Sequence, residues 1–154
     1  MKLNYIIIPL ITIIVAVVGS FLTSAGMYWY KTLKLPDIAP PGGFIGIVWT
    51  IIFILSTISA LIIWNNTPRS NLFWWIIGIF ILNAILNVLW SYIFFYSHNI
   101  GGAIIEMIIL EITVIALCVL IWPISRIASI LFWPYAAWVS FATYLAYHIW
   151  ILNK

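Results

Sequence analysis

Charge is what this 154-residue chain has least of: three acidic and six basic side chains, 6% of the whole. Soluble domains carry about 25%. Thiols are scarcer still. One cysteine, Cys118, excludes an intrachain disulfide and any cysteine-based metal centre. The basic residues never cluster, so a net charge of +3 offers no surface to nucleic acid. No phosphate-binding glycine loop, zinc spacing or nucleophile–base spacing occurs. The chain is too short for a nucleotide-driven motor as well as a membrane domain. These absences argue against hydrolases, zinc and cysteine-ligated metal enzymes, and nucleic-acid-binding proteins.

What is present is apolar. The chain is 66% hydrophobic with a mean hydropathy of +1.23, more than a soluble fold of this size can hide. Five stretches approach the roughly 20 residues that span about 30 Å of hydrocarbon: residues 5–27, 44–64, 72–95, 101–122 and 130–151. The expectation is one all-α membrane domain over 1–154, a five-transmembrane-helix bundle with an ordered loop between helices 1 and 2. Lys2, Arg69 and Arg126 fall on one side, and Lys31, Lys34 and Lys154 on the other, so the positive-inside rule gives no orientation. Lys2, the first apolar run and Thr23-Ser24-Ala25 look somewhat like a secretory leader. The run is long for one, and Ala16, Ser20 and Ser24, widened by Gly19 and Thr23, form a small-residue stripe suited to helix packing.

Ten tryptophans stand out. Trp64, Trp74, Trp75, Trp122, Trp133 and Trp150 lie near span ends, where indoles form an interfacial belt. Trp49, Trp90 and Trp138 lie deeper, where the N–H must find a partner or the ring a flat neighbour. On the third span Asn83, Asn87, Trp90 and Phe94 share a face. The two amides either bond across helices or present a polar handle to a ligand. On the fifth span Trp138, Ala142 and Ala146, flanked by Leu145, either pack closely or leave a hollow. Glu111 lies near the middle of the fourth span, suited to a hydrogen bond with Asn or Ser or to a proton path. Glu106, near the start of that span, suits helix N-terminal stabilisation or solvent contact. His98 and His148 suit interfacial hydrogen bonds, with haem ligation the alternative. Leu22, Tyr28 and Lys31 make a loose cholesterol-type match. The long connection after the first span holds Pro36, Pro40 and Pro41, which stiffen it, then Gly42 and Gly43, which permit a sharp entry into the second. It reads as a lid, with Ser70 or Asn71 capping the third helix further on.

Together these residues resemble one family. Trp29-Tyr30-x-x-Leu33-x-x-Pro36-x-x-x-Pro40-Pro41, followed by Trp49, is similar to the first loop and second helix of the TspO family, which includes the tryptophan-rich sensory proteins and the mitochondrial translocator protein. Asn87-x-x-Trp90-x-x-x-Phe94-Phe95 resembles its third-helix motif. Pro134-Tyr135-x-Ala137-Trp138-x-x-Phe141-Ala142-x-x-Leu145, with Trp150 and Asn153, resembles its fifth. The resemblance implies a homodimer in the membrane, in a bacterium the plasma membrane. It implies a receptor pocket for porphyrins, protoporphyrin IX above all, and for isoquinoline-carboxamide compounds. Carried onto this chain, the ligand-binding residues are Tyr30, Pro41, Trp49, Asn87, Trp90, Trp138, Ala142 and Leu145. Trp49 and Trp138 become the photoredox indoles of a light-dependent porphyrin breakdown that has no conventional catalytic constellation. The implied role is a tetrapyrrole, light or oxygen-stress sensor, and the alternative is a transporter or channel for porphyrins or other amphipaths. Leu35-Pro36-Asp37-Ile38 stands where the family often has Lys-Pro-Ser-Trp. No lysine or arginine follows Tyr147 within five residues, which breaks the cholesterol motif of animal members.

Overall fold

Backbone N–H and C=O groups cannot be left open in hydrocarbon, so a long apolar run has one low-energy form, the helix. The computed structural model describes residues 3–154; Lys2, counted in the charge tally above, lies outside them. It contains α1 (Asn4–Tyr30), α2 (Gly42–Asn66), α3 (Asn71–Ser91, continued by a π-helical turn Tyr92–Tyr96), α4 (Ile100–Ile121), the short α5 (Arg126–Ile130) and α6 (Trp133–Leu152). No strand occurs among the described residues. α1 through α4 are each long and apolar enough to cross a membrane, taking α3 with its π continuation. α6 is the more polar long helix, with Ser140, Thr143, Tyr144, Tyr147 and His148. It completes the bundle by burying Tyr135, Val139, Leu145, Ala146 and Ile149. The protein is an integral membrane helical bundle.

The helices close into a ring: α1 on α2, α2 on α5, α5 and α6 on α4, α4 on α3, and α3 back on α1. Local chemistry sets the ends. Ser70 Oγ accepts from the Phe73 amide at 3.3 Å and starts α3, so Ser70 is the cap and not Asn71. Asn99 Oδ1 accepts from the Gly102 amide at 2.9 Å and starts α4. Ser125 Oγ accepts from the Ala128 amide and starts α5.

Four expectations change. The fifth span does not begin at residue 130: capping by Ser125 makes a separate short helix, and α6 starts at Trp133 with Pro134 in its first turn, where a missing N–H costs little. Trp29 and Tyr30 are not loop residues but the last turn of α1. Gly42 and Gly43 open α2 in ordinary helical backbone; neither has a positive φ, and Pro41 makes the turn. Glu106 is neither solvated nor at the helix end, but buried in the second turn of α4.

α1 changes partner along its length. Near the first loop it presses on α3, with Gly26 so close to the Phe95 backbone that any Cβ would collide with it. Towards its N-terminus it leans on α2, through Thr57 Oγ1 donating to Thr12 Oγ1 at 2.8 Å and Asn4 Nδ2 donating to Asn65 Oδ1 at 3.2 Å. The small-residue stripe therefore works through Gly26, with Gly19 facing Ser91; Ser20 and Ser24 point outward.

Candidate functional site

The polar groups of the interior form one chain of bonds. Asn87 Nδ2 donates to the Tyr135 hydroxyl at 2.9 Å. That hydroxyl donates to Asn83 Oδ1 at 3.2 Å, and Asn83 Nδ2 donates to Thr113 Oγ1 at 2.8 Å. Thr113 closes the chain on the Leu110 carbonyl. Helices α3, α6 and α4 are tied together at mid-bundle, and all four side chains are buried. Leaving any of these groups unpaired would cost about 1–3 kcal/mol, so the network specifies how the three helices register. Both asparagines thus bond across helices. Asn87 also stands on the lining of a cavity between α1, α2 and α3.

The candidate ligand residues divide around this network. Trp49 from α2 meets Tyr135 edge-on at 5.8 Å, and Phe44, one turn before it, meets Trp138 at 6.3 Å. The backbones of α2 and α6 scarcely approach each other, so these rings are what joins the two helices. Tyr30, Trp90, Ala142 and Leu145 lie in a second cluster about Phe94 and Phe95 at the loop end. There Trp90 stacks on Phe94 at 5.3 Å and meets Phe95 edge-on at 5.7 Å. Pro41 stands apart, exposed at the start of α2. The structure therefore brings Trp49 and Asn87 to Tyr135 and sets Trp138 further along α6, against Phe44 and Phe141. It gathers Tyr30, Trp90, Ala142 and Leu145 beside them in the aromatic cluster.

Two deep indoles keep an unspent donor. Trp90 Nε1 and Trp138 Nε1 are buried, and neither finds an acceptor in the protein. Both oxygens of Glu106 are likewise buried without a partner, on the edge of α4 that also carries Thr113 towards α3. Buried polar atoms without partners are few in native folds and each calls for a reason. Glu111 accepts from Ser140 Oγ at 3.0 Å across α4 and α6, the structural bond expected for it. Neither histidine faces an opening: His98 stacks on Trp29 at 4.3 Å, and His148 Nδ1 lies 2.9 Å from the Tyr144 carbonyl. Among the described residues no cluster of His, Cys, Asp or Glu could hold a metal ion.

The loop is tied down by one asparagine of the fifth-helix motif. Asn153, just past α6, accepts from the Lys34 amide at 2.9 Å and donates to the Lys34 carbonyl at 2.9 Å and to the Ile149 carbonyl at 2.7 Å. Leu33 and Ala39 pack into the aromatic cluster below. The expected lid is an ordered segment, clasped at its middle to the C-terminal helix. Tyr135 and Thr113 complete the network without having been singled out from the sequence, because which hydroxyl meets the asparagine pair depends on how α6 and α4 are turned towards α3.

A helical membrane bundle with an aromatic interior, a mid-bundle amide–phenol network and a clasped first loop defines the class. The TspO/MBR family model matches residues 7–151. The chain is 34% identical to the tryptophan-rich protein TspO of Bacillus cereus over 99% of both chains. It is 33% identical to the protein CrtK of Rhodobacter capsulatus, over 81% of this chain and 78% of that one. It is 28% identical to the human translocator protein, over 86% and 80%. The chain belongs to the TspO/MBR family.

Proposed function

We propose that this protein binds a planar tetrapyrrole of the protoporphyrin IX type between α2, α3 and α6, reports on tetrapyrrole and light stress, and promotes breakdown of the bound pigment under light. The bacterial plasma membrane is the setting proposed for it. The observation that carries the reading is the pair of buried indole donors, Trp90 and Trp138, without acceptors beside Asn87. A flat ligand with nitrogen or oxygen acceptors at its edge would stack on these rings and take up their N–H groups. The seam between α2 and α6, joined by rings instead of backbone, is where a disc can slide in with little helix movement. The pigment's two carboxylates find a suitable field at the loop end, where Lys31, Lys34 and Lys154 lie.

No residue here is a hydrolytic or metal catalyst, so the photochemistry comes from the pigment itself. The protein's part is to hold the ring against indoles that exchange an electron with its excited state, and to keep water away. Trp138, in contact with Phe44 and Phe141, is the better placed for this, and Trp49 lies one ring further, against Tyr135. The test is a titration of protoporphyrin IX into the detergent-solubilised protein, followed by illumination. Wild type should show a saturable absorbance shift that an isoquinoline carboxamide competes away. Trp138→Phe should slow photobleaching several-fold, and Trp90→Phe should weaken binding several-fold. Unchanged affinity and unchanged photobleaching in both variants would overturn the reading.

A further inference from the structure

A cavity of about 1230 Å³ lies away from the aromatic cluster of the loop end. It is a wedge between α1, α2 and α3, opened because α1 leaves α3 and leans on α2 in its N-terminal half. Its lining runs along α1 from Leu3 to Leu22, about 28 Å of helix. Ile7, Ile11 and Ile14 of α1, and Ile81 and Ile85 of α3, belong both to this lining and to the exposed surface, so the wedge opens sideways into the bilayer. Among the described residues no Asp, Glu, Lys, Arg or His lines it.

The wall is not wholly apolar. Ser56 stands on the wall of the wedge, and its hydroxyl oxygen is buried and bonds to nothing in the protein, whereas Thr57 beside it is bonded to both Phe53 and Thr12. Asn83, Asn87 and Tyr135 stand on the same lining. Ser56 lies about 21 Å of helix from one end of α2 and about 15 Å from the other, near mid-membrane. Phospholipid headgroups do not reach that depth, and a bare alkyl chain would leave the serine unpaired.

We propose that the wedge is a second binding site, meeting the tetrapyrrole seam at Asn87 and Tyr135 and running from there between α1, α2 and α3, for a neutral long-chain lipid bearing one hydroxyl or carbonyl oxygen. The ligand enters laterally from the bilayer, lays its chain along the isoleucines of α1, and accepts a hydrogen bond from Ser56. Charged amphiphiles are refused because nothing in the wedge neutralises them. A macrocycle with two carboxylates is refused for the same reason, so the two sites take different ligands although they share a wall at Asn87 and Tyr135.

The test uses the full chain, delipidated in detergent, with 1-hexadecanol as the probe and hexadecane, palmitate and a phosphatidylcholine as comparisons. Native mass spectrometry and thermal melts read the outcome. Hexadecanol should give a one-to-one adduct and a saturable rise in Tm. Palmitate at pH 8 should bind at least tenfold more weakly. Ser56→Ala, which keeps the shape, should weaken hexadecanol about five- to tenfold, the worth of one hydrogen bond, and leave hexadecane unchanged. Ala60→Phe, which fills the wedge, should abolish the adduct. Equal binding of hexadecanol and hexadecane, no loss in Ser56→Ala, or equal displacement by phosphatidylcholine would each overturn the proposal. The Ser56→Ala result stands even where Ala60→Phe misfolds, and none of these readouts involves pigment.

Discussion

α1 meets two different worlds along one helix. At the loop end it is pressed against α3, Gly26 on Phe95, and the space between helices is filled by Trp29, Tyr30, Trp90, Phe94 and Phe95. At the far end it rests on α2 through Asn4 and Thr12, and the space towards α3 is a wedge open to lipid. The difference comes from residue size at the contact. A glycine lets two backbones touch, and aromatic rings then fill what remains. β-branched and long aliphatic side chains hold the helices apart and leave a slot. One end is built for rings and the other for chains.

Replacing Gly26 by Leu should break the comparison most severely. Its side chain has no place beside the Phe95 backbone, so α1 must leave α3 and the loop end must open. The expected result is loss of folded protein, or a fall of about 3 kcal/mol or more in detergent melts. Gly19→Ala on the same face is the control. Its Cβ would lie 3.6 Å from Ser91 Oγ, ordinary contact, and stability should stay within about 0.5 kcal/mol.

Tyr135→Phe comes next. It removes the hydroxyl that links Asn87 to Asn83 and strands a buried donor and a buried acceptor. A loss of about 1–3 kcal/mol is expected. Because α3 and α6 are tied here between the two ends, both pigment and hexadecanol binding should weaken.

Asn153→Ala should act locally. Three bonds that hold Lys34 and the end of α6 would be lost, and amide exchange across the loop should rise markedly while the global melt moves by about 1 kcal/mol or less. His98→Gly should have the smallest effect. His98 has a φ of 54°, a region that favours glycine, but its ring stacks on Trp29. Relief of strain and loss of stacking offset each other, and the melt should shift by less than about 1 kcal/mol.

Much of this fold was legible in the residues. Apolar run length located the five long helices to within a few residues, because a span has a required length and one allowed backbone form. Of the six tryptophans expected in the belt, Trp74, Trp75, Trp122 and Trp133 are exposed, whereas Trp64 packs half-buried on Phe73 and Trp150 on the aromatic cluster. α1 runs past the expected end at residue 27 because Trp29 and Tyr30, whose apolar mass equally suits an ordered loop, pack as a final helical turn on Phe94 and Phe95. The split of residues 123–132 into α5 and a turn was hidden, since Ser125 looks like any loop serine until its hydroxyl caps a helix. Glu106 was misread because position near a span's start says nothing about which face is buried.

Within the candidate site, Asn87, Trp49 and Trp138 were readable as deep polar or aromatic residues in apolar runs. Tyr135 was not, because its role depends on reaching across from α6 to α3. The wedge was invisible in the sequence. It arises from the angle of α1, which Gly26 and the Thr12–Thr57 and Asn4–Asn65 pairs set together.

The most direct measurement is a protoporphyrin IX titration of two variants side by side, Trp138→Phe at the aromatic seam and Ala60→Phe in the wedge. The account predicts several-fold weaker binding or slower photobleaching in the first and wild-type behaviour in the second. Pigment binding lost in Ala60→Phe and untouched in Trp138→Phe would place the pigment among the isoleucines and contradict it.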